Sequence, residues 1–173
     1  MTSDEGPRRF NPGPMLAALE AEGAVYVVIG GTAAAIHGAR HVTFDLDITP
    51  DRDIANLDRV AAALGRMNAH LYGMPADVER SFQLNGKSLA AGSTWKFVTD
   101  HGELDISLDP DGTHGFNDLL RGAVRTDIHG LQILIASLED VIRSKEAAGR
   151  PRDHRDLPEL RRTLELSRER ERE

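Results

Sequence analysis

The chain has 173 residues, a formal net charge of −7, 40% hydrophobic residues and 28% charged residues. These values are typical of a globular protein and exclude disordered and fibrous classes, so one domain with a substantial core is expected. The sequence contains no cysteine, which excludes disulfide frameworks and thiolate metal sites. The acidic balance argues against binding of duplex DNA, because that binding depends on phosphate neutralisation by Lys and Arg.

Membrane segments are not expected. No apolar run approaches the roughly 18–20 residues that a membrane helix needs. The opening residues "MTSDEGPRRFNPGP" lack the apolar centre of a signal peptide. We therefore expect a soluble, cytoplasmic protein.

The first half of the chain alternates predicted helices and strands. A helix over 14–23 has a proline near its start and a glycine at its end, and "VYVVIG" then predicts a buried strand. A short helix "TAAAIH", a strand "VTFDLDIT" and an amphipathic helix over 53–67, capped by Asp51 or Asp53, follow. This βαβα order predicts an α/β (α+β) fold in which helices flank a mixed sheet.

The pattern is weaker in the second half. Residues 72–93 are compatible with a loop or short helices, whereas "TWKFVT" and "ELDISLD" flank a turn at 100–102 and predict a β-hairpin. The segment "AVRTDIHGLQILIA" predicts two strands around Gly130. Residues 116–122 carry no assigned element.

Two helices are predicted near the C-terminus. Ser137 begins the first, with Asp140 three residues later in a variant of the capping box. Residues 150–157 are interpreted as a linker, and Pro158 suits the first turn of the last helix. The predicted division is a core over 1–136 and a C-terminal helical segment over 137–173, packed on the core as a single functional unit.

The first chemical signal is a pair of carboxylates on one strand. Side chains alternate along a strand, so Asp45 and Asp47 share a face while Leu46 points to the opposite one. Asp is disfavoured in strands and like charges repel, so the pair needs a compensating ligand. Oxygen ligands without Cys favour Mg²⁺ or Mn²⁺ over zinc.

Two further features extend this site. If the strand with Asp105 lies beside the first acidic strand, three carboxylates meet, and such a group can hold two ions for phosphoryl or nucleotidyl transfer. Gly30 and Gly31 lie between a strand and a helix, where backbone N–H groups can approach phosphates closely. Taken alone, the glycines favour the simpler interpretation of a tight strand-to-helix turn, and Asp105 is also compatible with a solvated strand face.

The stretch "GGTAAAIHGARHVTFDLDI" resembles the first motif of the nucleotidyltransferase superfamily that includes DNA polymerase β. The form is that of the bacterial MenT and AbiEii-type toxins. Together with Asp105 and the late segment "SKEAAGRPRDHRDLPEL", the resemblance extends from Val25 to Leu160. It implies the nucleotidyltransferase fold with C-terminal helices.

The resemblance also implies roles for individual residues. The triphosphate of the donor nucleotide would be held by a group of four residues, Gly30, Gly31, Thr32 and Arg40. Metal ions would be bound by the three carboxylates Asp45, Asp47 and Asp105. Lys145 would act in catalysis and nucleotide binding, and Asp153 in catalysis, with Asp156 as the competing choice for the latter.

The implied reaction is Mg²⁺-dependent transfer of NMP from an NTP, ATP among the candidates, to an acceptor hydroxyl with release of pyrophosphate. In the toxin relatives the acceptor is the 3′ end of tRNA, which predicts the toxin of a toxin–antitoxin system with a cognate antitoxin protein. A basic group on the late segment could hold the RNA; its members are Arg143, Lys145, Arg150, Arg152 and Arg155.

Purely structural interpretations remain open for several residues. Lys145 could be an ordinary exposed lysine, and Arg40 could pair with a nearby carboxylate. His37 is interpreted as a structural hydrogen-bonding residue and Trp95 as a core residue. Two alternative functions also remain: a nucleotidyltransferase of a small molecule such as an aminoglycoside, and a non-catalytic relative that binds nucleotide or a partner.

Overall fold

A computed structural model describes residues 9–173. The expectation about a leader segment rests in part on residues 1–8, which lie outside the described residues. Within the described part of the chain, every helix is too short or too polar to cross a membrane.

The described chain folds into a seven-stranded sheet with helices packed on it. The strands are β1 Tyr26–Ile29, β2 Asp45–Pro50, β3 His70–Leu71, β4 Thr94–Thr99, β5 Gly102–Ser107, β6 Val124–Ile128 and β7 Leu131–Ile135. The helices are α1 Pro12–Ala21, α2 Gly30–Ile36, α3 Ile54–Arg66, α4 Ala76–Ser81, α5 Gly86–Ala91, α6 Phe116–Gly122, α7 Leu138–Ala148 and α8 Pro151–Arg170.

The strand order β3-β4-β5-β2-β1-β7-β6 places the two acidic strands side by side at the centre. β2 and β5 pair in parallel, with Asp47 opposite Asp105 and Leu46 opposite Leu104. β1 pairs with β2 antiparallel and with β7 in parallel. The sheet is therefore mixed, which confirms the predicted α+β fold class.

The core forms where apolar strand faces meet the helices. Leu46, Ile48, Leu104 and Ile106 are fully buried, whereas the alternate residues of β2 and β5 turn their carboxylates away from that layer. The helices α7 and α8 contribute to the same hydrophobic cluster through five residues, Leu138, Val141, Ile142, Leu157 and Leu160.

Several predicted elements are confirmed. The hairpin forms as β4 and β5, and the two strands around Gly130 form as β6 and β7. Ser137 caps α7, because its hydroxyl oxygen accepts the N–H of Asp140 at 3.1 Å. The N-cap of α3 is Asp53, but its side chain makes no cap hydrogen bond.

The linker prediction for residues 150–157 is wrong. Helix α8 begins at Pro151, and Pro158 lies inside it. A proline at the first helical position loses no hydrogen bond, while Pro158 loses one in the interior. Burial of Leu157 and Leu160 on either side of Pro158 offsets that loss, so the helix continues.

Short helices occupy the middle of the chain. The 72–93 segment contains α4 and α5 joined by loops, which agrees with the open prediction of loop and short helix, whereas α6 was not predicted. Each has six or seven residues, which is too short to show helical periodicity in the sequence.

Candidate active site

Three carboxylates meet on the central strands. Asp45 and Asp47 project from β2 and Asp105 from β5, and one oxygen from each lies within 4.8 Å of the others. The cause is the parallel register, which sets Asp47 directly beside Asp105. Within residues 9–173 this is the one group of three or more acidic, histidine or cysteine side chains close enough to share an ion.

Two carboxyl groups of this cluster have raised pKa values. Burial, with the charges of Asp45 and Asp105, raises the pKa of Asp47 to about 7. Burial also raises the pKa of Asp105 to about 6, against the opposing effect of Lys96. Two of the three carboxyl groups therefore resist ionisation, as expected for buried acids held close together.

The residues fit a divalent cation. Asp105 Oδ1 is buried and has no hydrogen-bond partner among the described residues, although buried oxygens are normally paired. Carboxylate oxygens are the ligands that Mg²⁺ and Mn²⁺ prefer, and a bound cation would favour the ionised form of all three groups. The donor set thus agrees with the metal predicted from the sequence.

Two threonine hydroxyls hold Asp45 in place. The Thr43 hydroxyl donates to Asp45 Oδ1 at 3.0 Å, and the Thr32 hydroxyl donates to the Asp45 carbonyl oxygen at 3.1 Å. Thr32 is buried, so its hydroxyl fixes the start of β2 from α2. A direct contact of Thr32 with a nucleotide stays a prediction.

The two glycines have a packing reason of their own. Gly30 has φ +64°, a conformation that glycine adopts without strain, and a Cβ there would lie 2.5 Å from Asp47 Oδ2. A Cβ on Gly31 would lie 2.7 Å from His41 Nε2. The glycines therefore make room for Asp47 and His41, which explains them without a phosphate, and the phosphate role stays a prediction.

A cavity of about 430 Å³ opens over the three carboxylates. Its walls include Gly30 and Gly31 from the start of α2, and Lys145, Arg150 and Arg152 from the junction of α7 and α8. This volume lies in the range of sites for small ligands. Helices α7 and α8 thus complete a site whose acidic floor belongs to the sheet.

Lys145 is tied to both acidic candidates. Its Nζ donates to Asp153 at 3.2 Å and to Asp156 at 3.0 Å, so the sequence alternatives are both partners. Asp153 is fully buried and also accepts from Arg150 Nε at 2.8 Å. Asp156 lines the cavity, whereas Asp153 does not line it and binds Lys145 from a buried position.

The charge of Asp153 is stabilised where it lies. Burial alone would raise its pKa, but hydrogen bonds from Arg150 and Lys145 lower it. The carboxylate of Asp153 therefore lies between two cations, Lys145 and Arg150, at the junction of α7 and α8. A buried carboxylate with this many charged donors is a fixed structural element.

Other predicted residues lie elsewhere. Arg40 is exposed and does not line the cavity; its backbone N–H donates to Glu159 at 3.2 Å. His37 bonds the carbonyl of Ala136 at 2.7 Å, as expected of a structural histidine. Trp95 is partly buried against the core and donates to the carbonyl of Leu89 at 2.9 Å.

The predicted basic group is divided by the structure. Arg143 pairs with Asp118 and Asp140 at 3.0 and 2.8 Å, so its charge is already compensated. Arg155 lies outside the cavity, whereas Arg150 and Arg152 line it. Arg152 lowers the pKa of Asp47 and Asp105, which places its charge near the acidic floor.

Two residues beside the site were not predicted. Lys96 lies 3.8 Å from Asp105 Oδ2 and 3.0 Å from Glu103, and the hairpin register sets Lys96 opposite Asp105. Counting back from the predicted turn would have shown this pair. His41 lines the cavity 3.8 Å from Asp156, a contact that no sequence spacing indicates.

No protein-family model and no curated protein matches the sequence, but solved structures share its fold. The lincosamide antibiotic adenylyltransferase LnuA, bound to lincomycin, is 18% identical with a TM-score of 0.56 over 88% of this chain and 98% of its own. TM1012 from Thermotoga maritima, itself a candidate nucleotidyltransferase, is 16% identical with a TM-score of 0.54 over 88% and 89%. The antibiotic-resistance factor ANT(2'')-Ia is 13% identical with a TM-score of 0.53 over 91% and 89%.

These likenesses define the class of fold. The chain has the nucleotidyltransferase fold, with a mixed sheet, flanking helices and two helices at the C-terminal end. At such low identity they do not carry an acceptor or a biological role over to this protein. The narrower resemblance to the MenT and AbiEii toxins stays a prediction.

Proposed function

We propose that the protein is a nucleotidyltransferase that uses a divalent cation, Mg²⁺ or Mn²⁺, to transfer NMP from an NTP to an acceptor hydroxyl with release of pyrophosphate. One observation carries the proposal: Asp45, Asp47 and Asp105 converge in a cavity whose lining also includes the cations Lys145, Arg150 and Arg152. Acidic groups for metal and basic groups for phosphate are what this reaction requires of a protein.

The three carboxylates would hold the cation, which when bound supplies charge neutralisation at the phosphates and acidifies the acceptor hydroxyl. Asp105 lines the same cavity and would help to activate that hydroxyl by accepting its proton. Lys145 lines the cavity and would stabilise the negative charge that develops on the departing pyrophosphate.

The presence of the complete set argues against a non-catalytic relative. Such a relative needs neither three converging carboxylates nor the lysine that α8 holds between Asp153 and Asp156. Retaining a cluster with this electrostatic cost is hard to explain unless a cation uses it.

For the acceptor, we propose the 3′ end of tRNA. The resemblance of the first motif to the toxin family and the basic residues Arg150 and Arg152 on the cavity wall support it, since RNA brings phosphates to such a wall. The biological role that follows is the toxin of a toxin–antitoxin system, acting in the cytoplasm and neutralised by a cognate antitoxin protein.

A small hydroxylated molecule is the second candidate acceptor. LnuA and ANT(2'')-Ia act on antibiotics, and they share the fold over most of this chain. Asp111 and Asp140 add further carboxylates to the cavity wall, which would suit an amine-bearing acceptor such as an aminoglycoside.

The test is nucleotidyl transfer with each α-³²P-labelled NTP in turn. Purified protein is incubated with Mg²⁺ and with total tRNA, an aminoglycoside or a lincosamide in parallel reactions. The inactive reference carries Asp45→Ala and Asp47→Ala, and the matched control carries Asp77→Ala on the exposed surface of α4.

Labelled RNA in the wild-type and Asp77→Ala proteins, absent from the double variant, is the expected result. Label on an antibiotic but not on RNA would replace tRNA by the second candidate. No labelled acceptor, from a protein whose Mg²⁺ binding is demonstrated by calorimetry, would contradict the proposed transfer to these acceptor classes.

A further inference from the structure

Two large apolar side chains stand open at the mouth of the cavity. Val42 and Phe44 are 76% and 75% exposed, and both line the cavity beside Asp45. They belong to the segment 37–44, which connects α2 to β2 and contains neither helix nor strand. No other large hydrophobic side chain in residues 9–173 is as exposed.

Nothing in the packing of the fold accounts for this exposure. Leu46 and Ile48, which follow Phe44 at intervals of two, are fully buried, so an apolar residue on this strand normally joins the core. Phe44 precedes the first residue of β2 and escapes that layer. Large aromatic rings left in water are uncommon and often mark a binding surface.

The cavity lining makes Phe44 chemically distinctive. Among the described lining residues it is the one benzene ring, in a wall formed largely of charged, polar and small side chains. A flat apolar ring beside charged groups is the arrangement that binds a nucleobase, since the base stacks on the ring while its phosphates meet cations.

The required cation is Arg152. Arg152 lines the same cavity, is exposed, and forms no ion pair with the described residues. Lys145, by contrast, is bound to Asp153 and Asp156, and Arg150 is bound to Asp153. Arg152 is therefore available to a phosphate that enters from solvent.

We propose that Val42 and Phe44 form a stacking surface for the terminal base of a single-stranded RNA acceptor, with Arg152 contacting an adjacent phosphate. The inference rests on the proposed function and deepens it by specifying how the acceptor is recognised. The donor's reacting phosphate belongs at the carboxylates, and the exposure of Phe44 leaves its ring open to a base that enters from solvent.

The experiment compares Phe44→Ala with Phe44→Tyr, which keeps the ring. Val78→Ala is the matched control, because Val78 is an exposed apolar residue on α4 outside the cavity. Each protein is titrated in EDTA against a fluorescent single-stranded oligoribonucleotide by anisotropy. The KM values for tRNA and for ATP are then measured separately with Mg²⁺ present.

Phe44→Ala should weaken oligoribonucleotide binding about 5-fold to 100-fold, the range found when base-stacking rings are replaced by alanine. It should raise the KM for tRNA and leave the KM for ATP unchanged, while Phe44→Tyr and Val78→Ala stay near wild type. Arg152→Ala should lower the salt dependence of binding by about one unit of slope, and Phe44→Ala should not change that slope.

Three results would overturn the inference. Equal RNA binding and equal KM for tRNA in wild type and Phe44→Ala would remove the stacking surface while leaving the proposed transfer intact. A rise in the KM for ATP alone would assign the ring to the donor base. A wild-type protein that neither labels nor binds RNA would refute tRNA as the acceptor and the inference together.

Discussion

The substitution Asp47→Asn should raise the free energy of unfolding of the metal-free protein. The pKa of Asp47 is raised from 3.8 to about 7 by burial and by Asp45 and Asp105, so its ionised form is unfavourable in the folded state. A raised folded pKa means that stability is present at low pH and is lost as pH rises toward the folded value. The loss reaches about 4 kcal/mol at pH 8 and about 2 kcal/mol at pH 5, at about 1.4 kcal/mol per pKa unit.

The assay is urea unfolding in EDTA at pH 5 and pH 8, followed by the fluorescence of Trp95. Groups outside the acidic floor titrate alike in both proteins, so the quantity compared is the difference in unfolding free energy between Asp47→Asn and wild type, which reports on Asp47 together with the two carboxyl groups coupled to it. That difference should grow by about 2 kcal/mol from pH 5 to pH 8. The figure is an upper value, because the new amide also needs hydrogen-bond partners.

Asp53→Asn is the matched control for this measurement. Asp53 is exposed and makes no side-chain cap hydrogen bond, and asparagine serves as well as aspartate at an N-cap. The difference between Asp53→Asn and wild type at each pH is the baseline against which the Asp47→Asn difference is compared. A difference for Asp47→Asn that is the same at pH 5 and pH 8 would refute the assignment of a costly charge to the acidic floor.

Three further predictions concern the cation, the glycine and the buried Asp153. Millimolar Mg²⁺ should raise the melting temperature of wild type but not of Asp47→Asn; equal shifts would place the ion elsewhere. Gly30→Ala should lower the free energy of unfolding more than Gly23→Ala does, and it should weaken Mg²⁺ binding. Both glycines have positive φ, but the new Cβ meets Asp47 Oδ2 only at position 30. Equal losses of unfolding free energy would contradict the close approach. Asp153→Asn should lower the unfolding free energy in urea by about 3 kcal/mol, because two cations lose a buried partner, while Asp156→Asn costs less.

The acidic strand was predictable because period-two alternation needs only neighbouring residues. Asp45 and Asp47 share a face for that reason, and the buried Leu46 confirms the alternation. The pairing of β2 with β5 was a conditional expectation, since sequence patterns do not specify which distant strands become neighbours. The parallel register with Asp47 opposite Asp105 comes from the tertiary fold.

The C-terminal helices show where local rules fail. Pro158 looks like a helix start by its local preference, yet α8 begins seven residues earlier, at Pro151. What decides the boundary is tertiary: Asp153 is buried between Arg150 and Lys145, and Leu157 packs in the core. These contacts depend on α7 and the sheet, so no window of the sequence reveals them.

The buried Asp153 also affects how the neighbouring Arg152 meets a ligand. Because Asp153 is fixed by three hydrogen bonds from Lys145 and Arg150, the backbone of Arg152 is held at one place on the cavity wall before any phosphate arrives. A ligand then orders only the side chain of Arg152, and the entropy lost on binding is correspondingly smaller. The first turn of α8 is thus preorganised: the buried carboxylate of Asp153 fixes the backbone that carries the exposed guanidinium of Arg152.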